Sequence, residues 1–313
     1  MDHQTLMWVI FGAIVITLLV IDLGLLHRNT AEISAKNSLM TTAFYAAVAC
    51  AFGAWVWHDM GAQAGKEFFT GYLVEFSLSM DNVFVISMIF GYLMIPRRYQ
   101  HRVLFWGILG AIIFRAIMIG AGAYLVSQFA WVLYVFGGFL LLTGIKMWFS
   151  AGEEPDLAKN KVLLYLKHHL PLTPDVRDES FVVRQTDPNT GTVTKTLFTP
   201  LALALVLVEL ADLVFAIDSV PAIFAITQDP FIVYTSNIFA ILGLRSLYFT
   251  LAAMVHRFAY LKYALALILV FVGSKIFLVN WVGHIPAVVT LGITFGILAG
   301  GVLYSLWKTR NAQ

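Results

Sequence analysis

The chain has 313 residues, 60% of them hydrophobic and only 12% charged, with a formal net charge of +2. A chain this apolar excludes a soluble globular domain and points to an integral membrane protein. The single cysteine, Cys50, excludes an internal disulfide, a dithiol redox pair and Cys-rich zinc or iron–sulfur sites, and no basic stripe interleaved with aromatics suggests nucleic acid.

Nine apolar segments are long enough to span a bilayer: 7–26, 39–57, 68–94, 103–126, 129–149, 199–227, 231–255, 260–279 and 286–307. They predict an all-α, polytopic membrane helical bundle in a single transmembrane domain over 1–313. The first segment reads as a retained helix, because no Lys or Arg precedes it, no small-residue cleavage site follows it, and His27 and Arg28 come next. Segments 7–57 form two peripheral helices. The third and sixth segments exceed the roughly 20 residues that cross about 30 Å of hydrocarbon, so each is tilted or broken. Gly71, Ser77, Ser79 and Pro221 are the expected break points. The hydrophilic stretch 150–198 reads as a connector, with a helix over 156–169 and a small hairpin flanking the turn sequence DPNTG. A regulatory element, or a docking site for a protein partner, is its alternative role.

Orientation follows from loop charge. With the N-terminus outside, nearly every loop Arg and Lys falls on the cytoplasmic side, and Lys66 is the exception. The C-terminus is then expected in the cytoplasm.

Two apolar segments carry matched acids. The first reads EFSLSMDNVF from Glu75 and the second DLVFAIDSVP from Asp212. An ionised carboxylate at mid-bilayer costs about 2.5–3.5 kcal/mol or more and is rare without a functional partner. Glu75, Asp81, Glu209, Asp212 and Asp218 are therefore candidate metal ligands, with Asn82 and Ser219 as neutral oxygen donors or helix caps. Glu209 and Asp212, three apart, share one helix face. The six-residue step from Glu75 to Asp81, or from Asp212 to Asp218, turns an unbroken helix by about 240°, so each pair would not face one ligand together. A break or a second site along a pathway would reconcile this. Asp22, near the end of the first segment, is an accessory candidate.

The resemblance between the two stretches extends further. GILGAIIFRA, with Arg115, follows the first acid motif, and FAILGLRSL, with Arg245, follows the second. Lys146 and Lys275 come next in matching order. Segments three to five (68–149) and six to eight (199–279) then form an inverted three-helix repeat, since three spans reverse the direction of entry. The last helix, 286–307, stands outside it. Arg115 and Arg245 either hold the acids or serve as a resident counter-charge when metal leaves. Lys146 and Lys275 have the same charge-balancing capacity, but each falls in the last turn or so of its span, where snorkelling is ordinary.

The donor set is oxygen-rich, without histidine or thiolate. Hard or borderline divalent ions suit it, meaning manganese, calcium or magnesium rather than zinc or copper. Met80 and Met88 lie near the acids. Both read as packing first, although a thioether would favour manganese.

These motifs resemble the TerC family, and within it the Alx-type branch. The resemblance rests on IDLGLLHR at Ile21–Arg28, EFSLSMDNVFV at Glu75–Val85, GILGAIIFRA at Gly107–Ala116, KHHLPLT at Lys167–Thr173, VELADLVFAIDSVPAIFAIT at Val208–Thr227 and NIFAILGLRSLYF at Asn237–Phe249. It implies a multi-pass protein of the bacterial inner membrane, N-terminus periplasmic, acting in metal homeostasis with Mn²⁺ export as the favoured activity. It implies a divalent ion as cargo, the bilayer as surroundings, no tightly bound cofactor and no enzymatic reaction. The alternative is a membrane-bound redox modulator, or a tellurium-resistance-type scaffold that supports metal delivery to partner proteins.

Overall fold

A computed structural model describes residues 2–26, 35–150, 161–173, 180–186, 193–251, 260–283 and 285–310; the side chains of 22–26, 35–36, 185–186, 193–195, 280, 282 and 310 lie outside that description. The chain divides into two units, Met1–Ser34 and Ala35–Gln313. The first contributes α1 (His3–Leu26). The second contributes α2 (Ala35–Met60), α3 (Ala62–Tyr92), α4 (Arg97–Gln128), α5 (Val132–Ser150), α6 (Lys161–His169), the strands β1 (Val182–Thr186) and β2 (Val193–Phe198), α7 (Pro200–Phe224), α8 (Pro230–Leu242), α9 (Leu244–Leu251), α10 (Leu261–Val282) and α11 (Ala287–Arg310). Among the described residues, nine helical stretches are long and apolar enough to cross a membrane, α8 and α9 together making one. The protein is a polytopic helical membrane protein.

Local chemistry sets the ends of these helices. Gly61, at φ 95°, turns the chain into α3, a conformation that a side chain would strain. Asp229 caps α8 by accepting from the amides of Phe231 at 2.8 Å and Ile232 at 3.4 Å, and Pro230 fills the first helical position. Gly283, at φ 82°, ends α10.

The expected breaks in the third and sixth segments are absent: α3 and α7 run unbroken through Gly71, Ser77, Ser79 and Pro221. The reasons are local. The Ser77 hydroxyl donates to the Leu73 carbonyl at 2.5 Å, inside its own helix. Gly71 serves close packing, since a Cβ there would stand 2.9 Å from Ser236 Oγ. Pro221 falls in the last turn of α7, where few rungs remain to be lost. The interruption lies in the seventh segment instead, at Gly243, between α8 and α9.

The connector keeps its expected outline. The helix is α6, while residues 156–160, assigned to its start, lie outside the described residues. β1 and β2 pair antiparallel, Val182 opposite Phe198, with a bulge between Gln185 and Thr186. The residues of the turn between them lie outside the described set.

Within the second unit, α3 packs on α2, α7, α8 and α11, α4 packs on α7 and α8, and α5 packs on α10. The α5–α10 contact is close because it is lined by small residues. A Cβ on Gly273 would stand 2.9 Å from the Gly137 carbonyl oxygen. The span formed by α8 and α9 is 94% buried, so other helices enclose it and its polar Thr235, Ser236 and Asn237 avoid lipid. Two apolar clusters form the core. One includes Val74, Leu78, Ile119 and Val220, and the other includes Val83, Ile86, Leu104 and Val208. Arg115 on α4 and Asp212 on α7 fall between them, and on α3 the residues between them run from Ser79 to Asn82, with Glu75 interleaved between Val74 and Leu78. A polar layer therefore sits between two apolar ones.

Candidate functional site

Four helices supply that layer. On α3, Glu75 and Asn82 are seven residues apart, two helical turns, and lie on one face. On α7, Asp212 and Ser219 repeat the same spacing. α4 brings Arg115, which is 1% exposed, and α8 brings Asn237, which is fully buried.

Arg115 is the centre. Its Nη1 donates to Glu75 Oε1, to Ser219 Oγ at 3.0 Å and to Asn237 Oδ1 at 3.1 Å. Its Nη2 and Nε reach the two Asp212 oxygens at 3.0 and 3.4 Å, a forked pairing that fixes the guanidinium plane. Asn237 Nδ2 donates to Glu75 Oε2 at 3.0 Å, and Asn82 Nδ2 donates to Asp212 Oδ1 at 3.1 Å. The layer thus sets two carboxylates against one guanidinium.

Among the described residues four buried side-chain oxygens have no hydrogen-bond partner, Ser79 Oγ, Asn82 Oδ1, Glu209 Oε2 and Thr294 Oγ1, and of these Asn82 and Glu209 belong to side chains that interact with Asp212. Asn82 and Asp212 line a narrow cavity of about 20 Å³ between α3, α4, α7 and α9, with Arg245 also on its wall. That volume holds about one water molecule or one bare cation. Glu209 stands one turn before Asp212, and Gly110 of α4 makes room for it: a Cβ there would overlap the Glu209 carboxylate.

The other candidates lie elsewhere. Asp218 accepts from Thr143 Oγ1 of α5 at 3.2 Å and feels Lys146 electrostatically. Asp81 stands about 240° around the unbroken α3 from Glu75, and Lys262 is the cation that acts on it. The six-residue step on unbroken helices produces this separation. Among the described residues, no group of three or more His, Cys, Asp or Glu side chains gathers closely enough to hold a metal. Lys275 lies inside the helix packing. α10 continues to Val282, leaving Lys275 two turns from its end and 7% exposed, with Glu67 of α3 acting on it. The Asp22 side chain lies outside the described residues.

Sequence reasoning missed Asn237 and Thr143 as partners of the acids. For Asn237 the available signal was an amide inside the apolar run FIVYTSNIFAIL.

The integral membrane protein TerC family matches residues 60–313. The chain belongs to that family. Relatives are similar over nearly their whole length. An uncharacterized membrane protein of Rickettsia felis is 47% identical over 96% of this chain and 97% of its own. One of Myxococcus xanthus is 45% identical over 98% of this chain and 93% of its own. The Alx protein of Escherichia coli, whose name suggests a membrane-bound redox modulator, is 44% identical over 96% of this chain and 94% of its own. No solved structure matches. The family match covers all the helices that build the Arg115 layer of this TerC protein.

Proposed function

We propose that this TerC protein carries a divalent cation, Mn²⁺ in the first place, across the bacterial inner membrane by alternating access, in the direction of export. The observation that carries the reading is the Arg115 layer: two buried carboxylates on one guanidinium, beside a cation-sized cavity with an orphaned amide oxygen. In this account Arg115 is the resident counter-charge. A cation entering from the cavity meets Asn82 Oδ1 and Asp212, with Glu209 at the approach. It then displaces Arg115 from Glu75 and Asp212. When the cation leaves, Arg115 returns, and the buried carboxylates are never left uncompensated in a medium that penalises bare charge heavily. Asp81 and Asp218, set apart with Lys262 and Lys146, serve as further stations or gates. Proton exchange at the carboxylates is the coupling route we favour. The matched order of motifs in α3–α5 and α7–α10 supports an inverted repeat whose halves rock about this layer.

The redox reading draws on the names of the Alx relatives. The lone Cys50 leaves this chain without a thiol partner of its own for disulfide exchange, and the oxygen-rich layer favours ion handling.

The test is metal uptake into inverted membrane vesicles holding the protein, with manganese, calcium and magnesium compared at two pH values. Uptake of Mn²⁺ above protein-free vesicles supports the proposal, and an absence of uptake of all three ions refutes it.

A further inference from the structure

α8 holds Arg115 from two directions. Asn237 takes its side chain, accepting from the guanidinium at 3.1 Å. Three residues earlier, on the same face of α8, Tyr234 takes its backbone. The Tyr234 hydroxyl donates to the carbonyl of Ala116, the residue after Arg115, at 2.5 Å. The same oxygen lies within hydrogen-bond reach of the Gly120 amide. Ala116 C=O and Gly120 N–H are the two ends of one rung of the α-helical ladder. A side chain entering such a rung loosens it and localises bending there. Gly120 admits the hydroxyl, because a Cβ at that position would stand 3.0 Å from it, tighter than ordinary contact.

We propose that Tyr234 is a positioning residue for Arg115: its hydroxyl, set into the Ala116–Gly120 rung, makes α4 pliant immediately beyond the arginine and ties that point to α8. Movement of α8 then carries the counter-charge toward or away from Glu75 and Asp212. The inference rests on the cation-transport reading, in which Arg115 must withdraw and return in each cycle. The Tyr234 hydroxyl bonds the α4 backbone, at the Ala116 carbonyl. It therefore governs the rate of the cycle rather than the affinity for the ion.

The experiment is a double-mutant cycle of Tyr234→Phe and Gly120→Ala in the full-length protein reconstituted in vesicles, following Mn²⁺ flux. Each single change is expected to lower Vmax about fivefold to tenfold with KM within about twofold. The double variant should be no slower than the worse single one, because each removes the same contact and a phenyl ring leaves room for the new methyl. Unchanged Vmax in Tyr234→Phe, a rise in KM with Vmax preserved, or singles that multiply in the double variant would each overturn the inference. If wild-type vesicles move no Mn²⁺, the transport reading fails by itself. The tyrosine contact is then judged from melting temperatures of the four purified proteins: non-additive shifts uphold the rung contact, and additive shifts remove it.

Discussion

Arg115 donates to four side chains on three neighbouring helices, Glu75, Asp212, Ser219 and Asn237. An arginine so engaged holds the fold as well as the charge. Arg115→Met leaves two buried carboxylates without their cation, and a loss of roughly 3–5 kcal/mol in unfolding free energy is expected in detergent. Asn237→Ala deprives Glu75 Oε2 of its amide donor and is expected to cost about 1–3 kcal/mol in the same measurement. Gly110→Ala drives a methyl into the space of the Glu209 carboxylate. A rise of about tenfold in KM for Mn²⁺ flux is predicted if Glu209 is the approach ligand, and an unchanged KM removes it from the path. The acids were legible in the sequence because a carboxylate in an apolar run violates the rule of its surroundings. Their partners were not. Asn237 lies 162 residues from Glu75 along the chain, and no local spacing announces the contact. The seven-residue step from Glu75 to Asn82, matched by Asp212 to Ser219, did mark the shared faces, but the repeated six-residue step between acids is the more conspicuous pattern.

The helices themselves were legible from apolar length, and their observed ends differ from the expected ones by up to six residues, as at the starts of α3 and α4. The point of interruption was not. Proline and serine are the usual signs of a broken helix, yet Ser77 satisfies its hydroxyl inside α3 and Pro221 falls where α7 is about to end. The interruption at Gly243 carries no strain signal: its φ of −77° and ψ of −11° suit any residue. A Cβ there would meet its nearest atoms at 3.7 and 3.8 Å, in ordinary contact. Gly243→Ala is therefore expected to fold with stability within about 1 kcal/mol of wild type, read from melting in detergent. Gly273→Ala should differ sharply. Its methyl meets the backbone of α5 at Gly137, and a loss of about 1–3 kcal/mol is expected as α5 and α10 are forced apart.

At the scale of the molecule, the polar layer lies between two apolar clusters that share α3, α4 and α7. A charged network in that position is shielded from both ends, and its interactions are strong because little water competes. Loop charge adds direction. With Arg97, Arg98 and Lys167 all expected on the cytoplasmic side, a reporter fused after residue 313 should read cytoplasmic, and a periplasmic reading would reverse the assigned topology. The central claim is that Glu75 and Asp212 exchange Arg115 for a metal ion. Mn²⁺ flux through purified protein in sealed vesicles, compared between wild type and Glu75→Gln with Asp212→Asn, tests it most directly. The account predicts flux in wild type and loss of at least about a hundredfold in the double variant. Equal flux from both, with the variant folded and inserted, would contradict it.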